Sequence, residues 1–331
     1  MKLTDDTALN LTHRPAPTLL TRFAAQLAVL LCLLFISISG FAQAASQAKI
    51  KTAVILPTAT GPAKLIYNEV FEGIYSQTEL DITVITLTSE SSIEKVEQEI
   101  KAKGSQLVIA VGNASYKLVR ELKTDAVVIA GGISGKPNGI PTVSLTGDPD
   151  TTFSELKRVA PNIKNIRLVY NEAVNGWWYD RAQAVAGNYD LTITGYVAND
   201  IKDGVKLYQQ LLDDATPKDT AVWIPLRSVV PSKTILPLLL EKAWGKKLAV
   251  ISNNPSHTKL GGLIALYPKH NEMGKQLAQF AVSHYQGEKT DHIIGTKALR
   301  VAINLRTSSH IGLRLSSKDR ARFDKIFPTK R

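Results

Sequence analysis

IPTVSLTGDPDTTFSELKRVAP, residues 140–161, separates two similar halves of the chain. Residues 140–145 alternate in the manner of a short strand. Residues 146–150, with Gly147, Asp148 and Pro149, form a loop, and a helix starts directly after it. Before this stretch the chain alternates strand and helix, and after it the same alternation begins afresh. The stretch therefore reads as the first crossing between two similar lobes, with a hinge near Pro149.

Upstream, KTAVILP (51–57), DITVITLT (81–88), QLVIAVG (106–112) and DAVVIAGG (125–132) are strand-like. Helices are expected over 61–77, from Ser91 and Ser92 to Gly104, and over 113–123. Downstream the strands are NIRLVY (165–170), LTITGYV (191–197), TAVWIP (220–225), KLAVIS (247–252) and GGLIALYP (261–268). Helices are expected between them over 178–186, 201–214 and 233–244. A helix over 273–287, a strand ALRVAINL (298–305), a turn at 311–313 and a basic helix near 318–326 complete the chain. Nearly continuous Val/Ile/Leu strands separated by helices imply parallel sheets covered on both faces. The right-handed crossover rule then makes each half a Rossmann-like sandwich. The fold class is α/β, with two such lobes. The expected division is 45–146 with about 271–297 in one lobe, and 147–270 with about 298–331 in the other.

Size and composition agree with this reading. A chain of 331 residues suggests about two domains. A hydrophobic content of 44% and a charged content of 21% are those of a globular protein, not a disordered one. The net charge is +11, but no Lys/Arg run exceeds two residues, so the charge is a dispersed solvated surface and not a nucleic-acid groove. Near the start, Arg14 and Arg22 precede an uncharged run, 23–41, followed by Ala42-Gln43-Ala44. This pattern reads as a signal peptide over 1–44 cleaved after Ala44, which sends the body to the periplasm. An uncleaved N-terminal membrane anchor is the alternative. Cys32, the one cysteine, lies inside the apolar run, so the exported body has no disulfide, no Cys-ligated metal and no Cys nucleophile.

In open parallel sheets ligands sit beyond the carboxyl ends of the strands. Those ends are rich in Gly, Thr, Ser and Asn here, which supply neutral donors and close backbone approach. Candidate ligand-binding residues are Thr58, Thr60, Asn113 and Ser134 from the first half, and Asn171, Arg227 and Asn253 from the second. Each is also an ordinary turn or cap residue. Arg227 follows its strand directly, where a guanidinium would fork onto a carboxylate or phosphate; an exposed loop arginine is the alternative. Trp177 and Trp178 follow Asn175-Gly176, a turn dipeptide, and either wall a pocket or pack on their own lobe. No catalytic motif is present. GGISGK (131–136) falls one residue short of a phosphate loop, and Pro137 replaces its hydroxyl residue. There is no G-x-S-x-G and no H-E-x-x-H. The six histidines, His13, His257, His270, His284, His292 and His310, show no metal-ligand spacing. No enzyme, metal or cofactor is expected.

Three segments carry a family resemblance. VSLTGDPDTTFSELKRVAPNIKNIRLVYN, HYQGEK and VAINLRTSSHIGLRLSSKDRARFDKI resemble the ABC-transporter substrate-binding protein family that includes aromatic amino-acid binding members. The resemblance implies a type I periplasmic binding fold, a hinge of about three strands, ligand-driven closure and delivery to an inner-membrane permease. Gly112-Asn113-Ala114 is similar to the family's Gly-Thr-x-Ala. WIPLRS (223–228) is similar to its Tyr-Val-Pro-Thr-Asp-Asn, with Arg227 where the family has Asp. That reversal of sign speaks against an amino-acid ammonium. The expectation is a monomeric solute-binding protein for a small polar ligand, anionic in one version, with no nucleic-acid partner. A sensing module of the same fold, feeding a signalling receptor, is the alternative.

Overall fold

The computed structural model describes residues 48–136 and 139–329. The expected signal peptide, its apolar run and Cys32 lie outside the described residues.

The chain starts with β1 (Ile50–Pro57), α1 (Gly61–Tyr75), β2 (Leu80–Leu87), α2 (Ile93–Lys103), β3 (Leu107–Val111), α3 (Gly112–Val119), β4 (Val127–Ile133) and β5 (Thr142–Gly147). It continues with α4 (Pro149–Val159), β6 (Asn165–Tyr170), α5 (Glu172–Ala186), β7 (Thr192–Val197), α6 (Ile201–Asp213), β8 (Thr220–Ile224), α7 (Ser232–Lys246), β9 (Ala249–Ser252), α8 (Pro255–Leu260) and β10 (Ile264–Pro268). The last elements are α9 (His270–Tyr285), β11 (Ile293–Thr296), β12 (Leu299–Asn304), α10 (Leu305–His310), α11 (Ser317–Arg320) and β13 (Lys325–Phe327).

Local chemistry sets these boundaries. The Ser92 hydroxyl accepts from the Lys95 N–H at 3.3 Å and caps α2, and Gly104 ends that helix at φ +60°. The Asp148 carboxylate accepts from the Asp150 N–H at 3.1 Å, and Pro149 takes the first helical position of α4.

Two sheets result, in the orders β2-β1-β3-β4-β5-β11 and β7-β6-β8-β9-β10-β12-β13. The first five strands of each half follow the same doubly wound order. Both pairings of β1, and both of β6, are parallel; β10 and β12 pair antiparallel. Each sheet is buried on both faces, which is why β3 and β8 are buried along their whole length. In the second sheet the face that carries Trp223 packs on Phe153 and Trp178, the other on Tyr208, Leu211 and Leu239. The chain passes between sheets three times: after β5, after β10 and after β11. Both sheets belong to one compact unit, Lys49–Arg331.

Three expectations are corrected. The helix expected to start at Trp178 starts at Glu172, so Asn175-Gly176 is helical and not a turn. The Asn175 amide N–H donates to the distant Leu226 carbonyl at 2.9 Å, while its oxygen accepts from the Asn171 N–H at 3.5 Å, so the side chain has partners that no turn requires. Trp178 packs on Phe153 and Trp223, and its indole N–H donates at 2.8 Å to the carbonyl of Gly147, the last residue of β5, where the chain leaves the first sheet. The basic helix expected near 318–326 is only Ser317–Arg320. Beyond it the Asp324 carboxylate accepts from the Val301 N–H at 2.7 Å, which docks Lys325–Phe327 as a parallel strand on the free edge of β12. Ile293–Thr296, expected as no element, is a strand that extends the first sheet beside β5.

Candidate functional site

A cavity of about 500 Å³ opens at the carboxyl ends of the strands, lined from both sheets. The first lobe contributes Ile66, Tyr67 and Val70 from α1, and Val111, Asn113, Gly132 and Leu145 from the ends of β3, β4 and β5. The second contributes Leu226 after β8, Asn253, Asn254 and Pro255 after β9, Tyr267 and Pro268 at the end of β10, and Lys325 from β13. His270 and Met273, on the first turn of α9, lie where the chain crosses back.

Its walls are mostly apolar, with two tyrosines from opposite lobes. Tyr67 is held over Gly112, where an added Cβ would meet the phenol oxygen at 2.6 Å. Gly112 also sits at φ +81°, so the position demands glycine twice over. Burial, foremost, raises the Tyr267 phenol above its ordinary pKa and keeps it a neutral donor. His270 Nδ1 meets Glu69 Oε2 at 3.2 Å, and Arg300 Nη2 reaches the same oxygen at 3.3 Å. Burial nevertheless holds the His270 pKa below its ordinary value, against the pull of Glu69. Lys325 Nζ lies 5.6 Å from the centre of the Tyr267 ring. Among the described residues, no three His, Cys, Asp or Glu side chains gather as a metal site.

The sequence-derived candidates divide. Asn113 and Asn253 line the cavity. Asn113 is exposed on the first turn of α3. Asn253 is buried, accepts from the Trp223 indole N–H at 3.3 Å and donates to the Leu266 carbonyl at 3.2 Å, so much of its amide is committed to the fold. The remaining five lie outside the lining. Thr58 Oγ1 donates to the Leu87 carbonyl at 2.5 Å and faces a separate recess with Ser89 and Ser91. Thr60 precedes α1 without capping it. Ser134 is buried, and its carbonyl accepts from the Ser144 hydroxyl at 2.8 Å. The Asn171 amide donates to the Ala198 carbonyl at 3.3 Å. Arg227 is exposed, one residue past the lining Leu226, at φ +57°.

Tyr67, Asn254, Tyr267, His270 and Lys325 are polar or aromatic lining residues beyond the candidates that sequence reasoning selects. Tyr267 and His270 were accessible to it: β10 is parallel to β9, so its carboxyl end belongs to the same edge. Lys325 had no such signal, because its segment reads as helix.

Two doubly wound lobes joined by three crossings, with a cleft at the strand ends, define the type I periplasmic binding class. Residues 77–318 match the family model described as ABC transporter substrate binding protein, and the chain belongs to that family. A ligand-free, open structure of a substrate-binding protein with adhesive properties from Clostridium difficile aligns with a TM-score of 0.55 at 14% identity, covering 85% of this chain and 100% of that one. An ABC domain from Streptococcus pneumonia in complex with L-Trp aligns with a TM-score of 0.48 at 16% identity, covering 84% of this chain and 100% of that one. At 14% identity the Clostridium difficile structure speaks to the fold alone. No curated protein matches the chain.

Proposed function

We propose that this chain is the solute-binding component of an ABC-type uptake system, working outside the cytoplasm and closing its two lobes over one small molecule. The observation that carries the reading is a single cavity lined by strand ends of both sheets. A solute there touches both lobes together, and only a ligand that binds the closed arrangement better can shift the population toward it. We assign 45–146 with about 271–297 to one moving body, and 147–270 with about 298–331 to the other. The three crossings between them are the hinge.

Asn113 and Asn253 are the contacts taken over from the sequence reading, joined by Tyr67, Asn254 and Tyr267. Walls of this composition suit a ligand with a compact apolar body and a polar end. The cycle is capture and release, without catalysis. The receiving partner is an inner-membrane permease, the working form is a monomer, and export runs through a signal segment at 1–44.

Native mass spectrometry of the exported chain, purified without denaturation, tests the reading. The expected result is a bound small molecule that is lost when Tyr67 and Tyr267 are both changed to Ala. A protein that carries nothing, and that no member of a solute library stabilises against heat, overturns it. Arg227→Ala is expected to leave the affinity for that molecule within about threefold, because its side chain lies outside the lining.

A further inference from the structure

The cavity is asymmetric in charge. Its lining includes Lys325 and His270 but no Asp or Glu. Two carboxylates stand outside the lining near Tyr267: Asp324 accepts from the Val301 N–H, and Glu69 is occupied by Arg300 and by His270 Nδ1. Lys325 forms no ion pair among the described residues, and its ammonium stands beside the Tyr267 ring at the cavity wall. The Asn254 side-chain oxygen Oδ1 accepts from the Ser256 N–H at 2.9 Å, which leaves the side-chain NH2 as its available donor. The one fixed positive charge of the lining, Lys325, therefore belongs to the second lobe, while Asn113 and the Tyr67 hydroxyl are neutral polar groups of the first. The first lobe adds apolar surface from Ile66, Tyr67, Val70, Val111 and Leu145.

We propose that the ligand is an apolar-bodied monoanion, a carboxylate without an ammonium group, whose charged end pairs with Lys325. This deepens the solute-binding reading and rests on it. An ammonium would find no carboxylate in the lining to meet it. An anion finds a cation with no competing partner, and the tyrosine walls hold the body. β13 then has a purpose beyond covering a sheet edge: it carries the charge-reading residue into the cleft.

Isothermal titration with matched probes tests this: phenylacetate and isovalerate, their neutral amides, and phenylalanine and leucine. The acids are expected to bind at least about tenfold more tightly than the amides or the zwitterions. Lys325→Met is expected to weaken the acids about ten- to a hundredfold and leave the amides unchanged, while Lys325→Arg restores the acids. Lys325 is exposed on an edge strand, so both variants should keep the wild-type melting temperature. Equal binding of acid and amide, tighter binding of the zwitterion, acid binding indifferent to Lys325→Met, or no acid binding even at millimolar concentration each overturns the proposal. A neutral or cationic molecule found by native mass spectrometry would overturn this inference while leaving the solute-binding role intact.

Discussion

Gly112 shows at the scale of one residue how fold and site share a constraint. Its φ of +81° and the Tyr67 ring over it exclude any side chain. Gly112→Ala is expected to cost about 1–3 kcal/mol in urea unfolding, and to weaken ligand binding as Tyr67 is displaced. A stability within experimental error of the wild type would show that Tyr67 yields freely. His257 gives a pH prediction. It is buried, its Nδ1 pairs with Ser252 Oγ at 2.7 Å, and burial lowers its pKa. The unfolded chain takes up a proton near pH 6.5 that the folded state resists. Stability is therefore full above that pH and falls as the pH drops below it, until the folded pKa is passed. His270 adds to the same trend. His257→Gln is expected to flatten the fall in unfolding free energy between pH 7 and pH 5; an unchanged slope would remove His257 as its source.

At the scale of elements, α1 and α9 approach closely because glycine faces backbone on both sides. A Cβ at Gly73 would strike the Asn271 carbonyl, and one at Gly274 the Val70 carbonyl. Backbone cannot swing aside, so Gly73→Ala or Gly274→Ala should destabilise by about 2 kcal/mol or more. Thermal unfolding measures this as a drop of several degrees. Gly245 provides the contrast. It lies inside α7 with nothing within 4 Å of an added Cβ, and Gly245→Ala should stabilise by about 0.5–1 kcal/mol. The elements also show what was legible. The cap at Ser92 and the stop at Gly104 are local hydrogen-bond chemistry, and a sequence displays them; the helix expected after residue 150 starts two residues earlier, at Pro149, because the Asp148 carboxylate caps it. Asn175-Gly176 reads as a turn only while the carbonyl of Leu226, fifty-one residues away, is out of view.

At the scale of the molecule, Glu69 on α1 reaches Arg300 on β12 and so ties the first lobe to the second. The pair is partly exposed, and such pairs contribute under about 1 kcal/mol. That is enough to bias a hinge whose states differ by a few kcal/mol. Glu69→Gln is expected to enlarge the radius of gyration of the ligand-free protein in small-angle scattering, with circular dichroism unchanged. An identical scattering curve would show that the tie does not restrain the lobes.

The alternation of strand and helix, the two doubly wound halves and the first crossing near Pro149 are written in the residues alone, because burial on both faces makes the strands continuously apolar. The same pattern places Asn113 and Asn253 at strand ends that open on the cavity. Which strand ends share that cavity, and that the Asn253 amide is largely held by Trp223 and Leu266, emerge from the folded chain. It alone brought Lys325 to the cleft, since β13 exists as a strand only where the edge of β12 offers it backbone partners. Those are contacts between distant segments, and no local pattern of residues encodes them.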